Sequence, residues 1–294
     1  MTRRITWALV AAGTVLVVAG IVVAISVVPS VAAGGLLYPA RRHVMEPPPT
    51  GCEDAVFGGE GVTLKGWRCQ ANGPRRGTIV FLHGVADNRT SVRGAIARFT
   101  SRGLDLVAYD SRAQGESTGT ICTYGYWEKR DLHDVLDAVG PGPIVLVGAS
   151  LGAAVALQEA PDDPRVMGVV AAESFSDLRT VARERAPRLL TQAMIRRAFS
   201  IAEARGDFRA DEVSPVAAAR RIRIPVLLIH GALDADTPPD HSRRILAALA
   251  GPKELILVDG AHHNESLRAE DTWQRIESWV EDVLARQPAS REFR

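Results

Sequence analysis

Residues 143–157, PIVLVGASLGAAVAL, constrain this chain more than any other stretch. The continuous apolar run with Val and Ile reads as a strand buried on both faces. It breaks at Gly148-Ala149-Ser150-Leu151-Gly152 and resumes as an Ala/Leu pattern suited to a helix. So sharp a corner needs small neighbours, because a Cβ at 148 or 152 would collide with the adjoining backbone. The geometry lifts the Ser150 hydroxyl above the sheet, at the N-terminus of a helix whose amides stabilise a developing negative charge. Small residues also make ordinary strand-to-helix corners. A nucleophilic Ser150 therefore requires the rest of the chain to supply a base, an acid and an oxyanion hole.

The remainder of the chain has room for them. Its 294 residues can bury a substantial core, as one large domain or two small ones. A net charge of +1 gives no basic surplus of the kind that marks a nucleic-acid partner. Arg supplies nearly all the basic residues, which reads as coding bias more than as a binding surface.

Residues 5–28 carry no charge, and as a helix they reach about 36 Å, enough to cross a hydrocarbon core of roughly 30 Å. Arg3 and Arg4 before them favour a cytoplasmic N-terminus, residues 1–4, and an exported remainder, although Arg41 and Arg42 pull the other way. The run is longer than a signal-peptide core of about 7–15 residues, so an uncleaved signal-anchor is expected. Cleavage after Ala32 or Ala33, giving a secreted protein, is the alternative. Pro29 is expected to end the helix, and residues 29–51, with Pro47-Pro48-Pro49, to form a stiff spacer before a domain at 52–286. Residues 287–294 read as a disordered tail.

Strands at 53–57 and 62–69 form a hairpin about Gly58-Gly59-Glu60-Gly61, which brings Cys52 and Cys69 opposite or nearly opposite each other. In an exported domain they are candidates for a disulfide, with two reduced thiols as the alternative and Cys122 left over. No Cys or His spacing suggests a metal site, and no metal is expected. Buried strands follow at 78–82, 104–109, 166–172, 225–229 and 255–258, besides the run from Pro143 that breaks at Gly148, alternating with helical patterns at 90–101, 127–139 and 270–284. Such alternation implies a mainly parallel sheet flanked by helices, with its loops gathered at one edge. Glu128 and Asp131, in the first turn of the 127–139 helix, are expected only to serve the helix dipole. The segment 175–214 has helical stretches at 178–185 and 189–204 and reads as a small lid. Within it Leu189, Leu190, Met194, Ile195 and Phe199 either line an acyl pocket or dock the lid on the core.

Chemistry-bearing residues sit on the loops after strands. The loop from His83-Gly84 makes the Val85 amide a candidate oxyanion donor beside that of Leu151, while His83 itself reads as shaping the loop. Asp234 is the first candidate for the acid, ahead of Asp236, Glu173 and Asp177; His263 is the candidate base, ahead of His262. A neutral hydroxyl is a poor nucleophile, so an imidazole must take its proton and a carboxylate must hold that imidazole in the right tautomer. Ser150, Asp234 and His263, each after a strand, meet these needs.

The matching pieces are His83-Gly84, Asp110-x-Arg112 through Gly115-x-Ser117, the Ser150 corner, His230-Gly231-x-x-Asp234 and His263-Asn264-Glu265. With them residues 54–284 resemble an α/β-hydrolase of the serine hydrolase superfamily. The phrase Thr123-Tyr124-Gly125-Tyr126-Trp127-Glu128 with Asp131 is similar to a subgroup of BEM46-like, ABHD17-like and dienelactone-hydrolase-like esterases. The resemblance implies an α/β-hydrolase fold with Ser150 as nucleophile, Asp234 as acid and His263 as base, and no metal or organic cofactor. Ala113 departs from it, standing where the family often has Gly. The expected function is a membrane-anchored hydrolase cleaving an ester or thioester of a small-molecule or lipid-like acyl substrate. A serine peptidase or amidase of the same fold, and a catalytically silent tethered binding protein, are the alternatives.

Overall fold

Runs of Val, Ile and Leu with no exposed face can only be satisfied between two layers, and the strands of this chain are placed accordingly. The computed structural model describes residues 2–286; the tail expected at 287–294 lies outside the described residues. In chain order its elements are α1 (Thr2–Leu37), β1 (Cys52–Gly59), β2 (Val62–Cys69), β3 (Gly77–Leu82), α2 (Arg93–Thr100), β4 (Leu104–Tyr109), α3 (Glu128–Val139), β5 (Ile144–Ala149) and α4 (Leu151–Glu159). There follow β6 (Val166–Ala172), α5 (Leu178–Glu184), α6 (Gln192–Gly206), α7 (Pro215–Ala219), β7 (Val226–Gly231), α8 (Asp240–Ala248), β8 (Lys253–Val258) and α9 (Glu270–Ala285).

The strands form one eight-stranded sheet in the order β1-β2-β4-β3-β5-β6-β7-β8. The β1–β2 and β2–β4 pairs are antiparallel and all the others parallel. Period-two alternation divides the strands between two cores. Val80, Leu82 and Leu146 pack with Leu132, Val135 and Leu136 of α3, with α4 and with Ile245 of α8. Ile79, Phe81, Val145 and Val147 pack on the other face with Phe99 of α2 and Trp273, Ile276 and Val280 of α9. The chain leaves β3 for β4 on one side, while β5 lies on the other. Their C-terminal ends therefore open a crevice at a topological switch point.

Four sequence expectations need correction. The helix does not stop at Pro29: α1 runs through it to Leu37. Proline removes one amide and crowds one carbonyl of the preceding turn, but the Ala-, Gly- and Leu-rich run beyond it is held by tertiary packing. Pro29, Ala33 and Leu37, spaced at i, i+4 and i+8, form a buried stripe against the insert between β6 and β7. Nor are residues 38–51 a free spacer. Arg41 donates to the carbonyls of Ser117 and Gly119 at 2.9 and 2.8 Å, Glu46 pairs with Arg93 at 3.0 Å, and Asn88 donates to the Arg42 carbonyl at 3.1 Å.

Glu128 and Asp131 are buried and do more than complement a dipole. Glu128 accepts from the Thr123 and Gly125 amides at 2.6 and 2.7 Å, and Asp131 makes a two-pronged pair with Arg112 at 2.6 Å. Finally, the second lid helix starts at Gln192, not 189, because the Thr191 side chain accepts from the Met194 amide and caps it, leaving Leu189 exposed in the preceding turn. Strands β1 and β2 pair Cys52 with Cys69 directly, and a disulfide joins them; Cys122 is buried and free.

Glu159, at the end of α4, is buried and bonded to His133 Nδ1 at 2.8 Å. Burial lifts its carboxyl from an ordinary 4.5 to about 7, against the opposing pull of the His133 hydrogen bond. Between those values the folded chain holds a proton that the unfolded chain releases, so this group makes stability fall as pH rises from about 5 to about 7. Glu159→Gln is expected to remove a slope on the order of 2–3 kcal/mol, stabilising the protein at pH 8 and barely altering it at pH 5. Thermal melts of both proteins at the two pH values test this; equal shifts at both would reject it.

Candidate active site

The site is organised around the corner at Ser150. Its backbone sits at φ 49°, ψ −109°, outside the relaxed regions for a residue with a side chain. A Cβ added at Gly148 would lie 2.5 Å from Ala153 N, and one at Gly152 would lie 2.2 Å from the Leu82 carbonyl oxygen. Glycine is therefore forced at both positions, and β5, α4 and the end of β3 touch backbone to backbone. The Ser150 amide donates to the Ala172 carbonyl at 2.8 Å, tying the corner to β6 as well.

Onto this corner the next loops converge. Ser150 Oγ lies 3.1 Å from His263 Nε2, and His263 Nδ1 lies 2.6 Å from Asp234 Oδ2. The carboxylate can only accept, so Nδ1 carries the proton and Nε2 is free to accept from the hydroxyl. Asp234 is buried and also accepts from the Asp236 and Thr237 amides at 3.0 and 2.8 Å. His230 Nε2 lies 2.7 Å from the Thr237 carbonyl and 3.3 Å from Asp234 Oδ2, while its Nδ1 meets the Ser242 hydroxyl at 2.7 Å. Burial pushes the Asp234 carboxyl up, but the bonds from His230, His263 and the Thr237 amide outweigh it and hold the group well below the usual carboxylate range. It is charged across the whole neutral range.

The other candidates fall elsewhere. Asp236 is exposed and its carbonyl accepts from Arg185 Nε at 2.8 Å; its side chain does not reach His263. Asp177 caps α5, accepting from the Thr180 amide at 2.8 Å. His262 is exposed, while His83 shapes its loop as expected, with Nδ1 on the Gly84 carbonyl and Nε2 accepting from the Ser111 amide at 2.9 Å. Glu173 is not the carboxylate on His263: its oxygen stands 3.9 Å from Nδ1, against 2.6 Å for Asp234. Buried at the end of β6, it accepts from the Asn264 amide and, at 3.1 Å, from the Ser266 amide, so it clamps the loop carrying His263. Ligand atoms of Glu173, Asp234 and His263 lie within 4.8 Å of one another, but all three groups are spent on these hydrogen bonds.

Val85 lines the cleft with Ser150, His263 and Asn264, and Leu151 opens α4. Neither amide donates a hydrogen bond to another described residue. Both stand beside the nucleophile corner as possible donors to an oxyanion. Gln114 holds this arrangement, its side-chain oxygen accepting from the Ala86 amide at 2.6 Å. Ala113, beside it, sits at φ 60°, the left-handed conformation that explains why glycine suits this position. Sequence reasoning passed over Gln114, His230 and the clamp made by Glu173. Only the tight spacing from Asp110 to Gly115 hints at the first, and the other two depend on contacts between distant loops. The cleft measures about 560 Å³, and beside it an apolar cavity of about 340 Å³ lies between the lid and the end of α1.

Comparison with known proteins agrees with the architecture. The family model described as the alpha/beta hydrolase fold matches residues 77–216. YqkD of Bacillus subtilis is 31% identical over 196 residues, which take in 63% of this chain and 64% of the relative, so the chain spans less than two thirds of that relative's length. Among solved structures the Pyrococcus furiosus esterase Pf2001 superposes with a TM-score of 0.67 at 22% identity, covering 85% of this chain and 98% of that one. Mouse alpha/beta hydrolase domain-containing protein 10 gives a TM-score of 0.62 at 22% identity, covering 79% and 98%. In sequence the mouse palmitoyl-protein thioesterase ABHD10 is 37% identical over 78 residues, 25% of this chain and 26% of its own.

The clamp can be tested by itself. Glu173→Gln keeps the size of the side chain but turns one acceptor into a donor facing two amides, at a cost of about 1–3 kcal/mol. The expected result is a melting temperature lower by several degrees, together with slower reaction of Ser150 with a fluorophosphonate. A variant matching wild type in both would show that Glu173 does not hold the loop.

Proposed function

We propose that this α/β-hydrolase is a membrane-anchored serine hydrolase that cleaves an ester or thioester through an acyl-enzyme on Ser150. The observation that carries this reading is the unbroken relay of Ser150 Oγ, His263 and the charged Asp234 at 3.1 and 2.6 Å. In the proposed reaction His263 Nε2 takes the hydroxyl proton as Oγ attacks the acyl carbon, and Asp234 stabilises the imidazolium that forms. The Val85 and Leu151 amides receive the charge that develops on the carbonyl oxygen. As the tetrahedral intermediate collapses, His263 returns the proton to the departing alkoxide or thiolate. Water, deprotonated by the same imidazole, then releases the acid and frees Ser150.

Two likenesses support acyl-oxygen or acyl-sulfur bonds as the target. One is to a protein called an esterase, the other to one called a palmitoyl-protein thioesterase. The anchor reading rests on α1. Its segment Ala11–Leu37, of mean hydropathy 2.7, is long and apolar enough to cross a membrane. The points at which a signal peptidase would cut, after Ala32 or Ala33, lie inside this helix and against the lid, which favours an uncleaved anchor. Arg3 and Arg4, ahead of the uncharged run, and the Cys52–Cys69 disulfide after α1 both favour a cytoplasmic N-terminus and an exported catalytic domain.

Labelling with a fluorophosphonate is expected for wild type, lost in Ser150→Ala and strongly reduced in His263→Ala. With p-nitrophenyl butyrate, Asp234→Asn is expected to lower kcat about 10³–10⁴-fold, because an amide at this position no longer holds the imidazole in the accepting tautomer. A correctly folded wild type that neither labels nor turns over these esters would reject the hydrolase reading. The anchor is checked by carbonate extraction of membranes: an uncleaved chain of full mass stays in the pellet, and a shortened soluble product would reject it.

A further inference from the structure

Helix α1 is longer than a bilayer needs. About 20 apolar residues span a hydrocarbon core. Counted from residue 5, where the charge-free run begins, such a span ends at about residue 24, so the last turns, Pro29 to Leu37, lie beyond it. These turns lie on the lid. Arg205 of α6 donates to Ser30 Oγ at 2.7 Å, and Ala33 and Leu37 join the apolar cluster that contains the lid residues Ile195 and Phe199. That cluster also takes in Ala154, one turn after Ser150 on α4.

The packing is not complete. Between α1 and the lid remains the cavity of about 340 Å³, within the roughly 300–1,000 Å³ typical of small-molecule sites. One wall is Ala32, Gly35 and Leu36 of α1; the other includes Phe199 of α6. Arg185 and Tyr124 bring the polar groups of an otherwise apolar lining, and Arg185 also borders the cleft that holds Ser150 and His263. The cavity thus adjoins the cleft across Arg185 and is walled on one side by the helix proposed to enter the membrane.

We propose that the end of α1 is part of the substrate site: the cavity takes the acyl chain of an amphiphilic ester or thioester dissolved in the same membrane, with the acyl carbon at Ser150. This rests on the serine-hydrolase reading above. Apolar walls exclude a polar acyl group. Adjacency to the cleft across Arg185 makes the cavity a place for the part of the substrate next to the reacting bond, reached when that side chain turns aside. A wall built from the anchor puts it beside the bilayer, from which a long-chain substrate comes.

The test uses the full chain in detergent micelles with p-nitrophenyl butyrate and p-nitrophenyl laurate, comparing the laurate-to-butyrate ratio of kcat/KM. Ala32→Phe fills the cavity from the α1 side and is expected to lower the ratio about tenfold or more. Val31→Phe adds similar bulk on the exposed side of the same helix and is expected to leave the ratio as in wild type. Leu36→Ala widens the same wall and is expected to raise the rate with p-nitrophenyl palmitate relative to laurate. This gives a second reading if Ala32→Phe folds poorly. Ratios unchanged in both wall variants, with hydrolysis of both esters still dependent on Ser150, would overturn the proposal and leave the hydrolase reading standing. Ester hydrolysis unaffected by Ser150→Ala would overturn both.

Discussion

The contact between Gly152 and the Leu82 carbonyl is the constraint on which the rest of this structure depends. With a side chain at 152 the first turn of α4 would be pushed off the end of β3, since a Cβ there would lie 2.2 Å from that oxygen. Held at backbone distance, the two strands β3 and β5 end level with each other, and the helix dipole of α4 starts at the mouth of the crevice between them. The strained backbone at Ser150 is a product of the same contact. Strain of this size, of order 1–3 kcal/mol, persists only where surrounding structure over-determines it. Here β3, β6 and α4 all grip the corner through main-chain contacts.

A second regularity concerns how the loops at this edge are fixed. A backbone amide in a loop has no ladder partner, and a carboxylate with two oxygens can take several at once. Buried carboxylates do this repeatedly here. Asp110 accepts from the Arg89 and Glu116 amides, Glu128 from Thr123 and Gly125, and Asp131 from Glu60. Glu173 accepts from Asn264 and Ser266, and Asp234 from Asp236 and Thr237. Asp131 and Asp110 add an arginine to these amides, Arg112 and Arg89, whereas Asp234 adds the imidazoles of His263 and His230. The acid of the proposed triad is thus a loop-fixing carboxylate to which two imidazoles, His230 and His263, have been added, and their bonds with that of the Thr237 amide outweigh burial and lower its proton affinity.

Sequence alone made the sheet, the flanking helices and the order Ser150, Asp234, His263 legible, because each is marked by a local pattern: buried apolar runs, glycines at strand ends, polar residues just beyond. What it hid depends on contacts between segments far apart. Glu173 and Asp234 both follow buried strands, and no local feature says which one faces His263. Glu128 and Asp131 look like helix-dipole residues, because the first-turn pattern is the same whether the acid is solvated or tied to Arg112 and to the Thr123 loop. Pro29 misled for a related reason. Local propensity ends a helix there, and the packing of Ala33 and Leu37 on the lid overrides it.

That override changes what the proposed anchor would mean for this chain. A tether joined by a loose linker would hold the catalytic domain near the bilayer and leave its orientation free. Here α1 passes into the domain without a break, is bonded to the lid through Arg205, and hands on directly to Arg41 and Glu46, which are fastened to the loops around Ser117 and to Arg93. The domain is consequently fixed in its angle to the helix, and on the anchor reading proposed above this places the α5–α6 insert on the membrane side. The same contacts restrict the lid, since α6 cannot swing away without exposing the Ala33–Leu37 stripe. An insert pinned in this way, if it serves as the expected lid, would open against a hydrophobic penalty in water. That penalty shrinks where the newly bared surface faces lipid, because hydrocarbon tails are as apolar as the side chains they would cover.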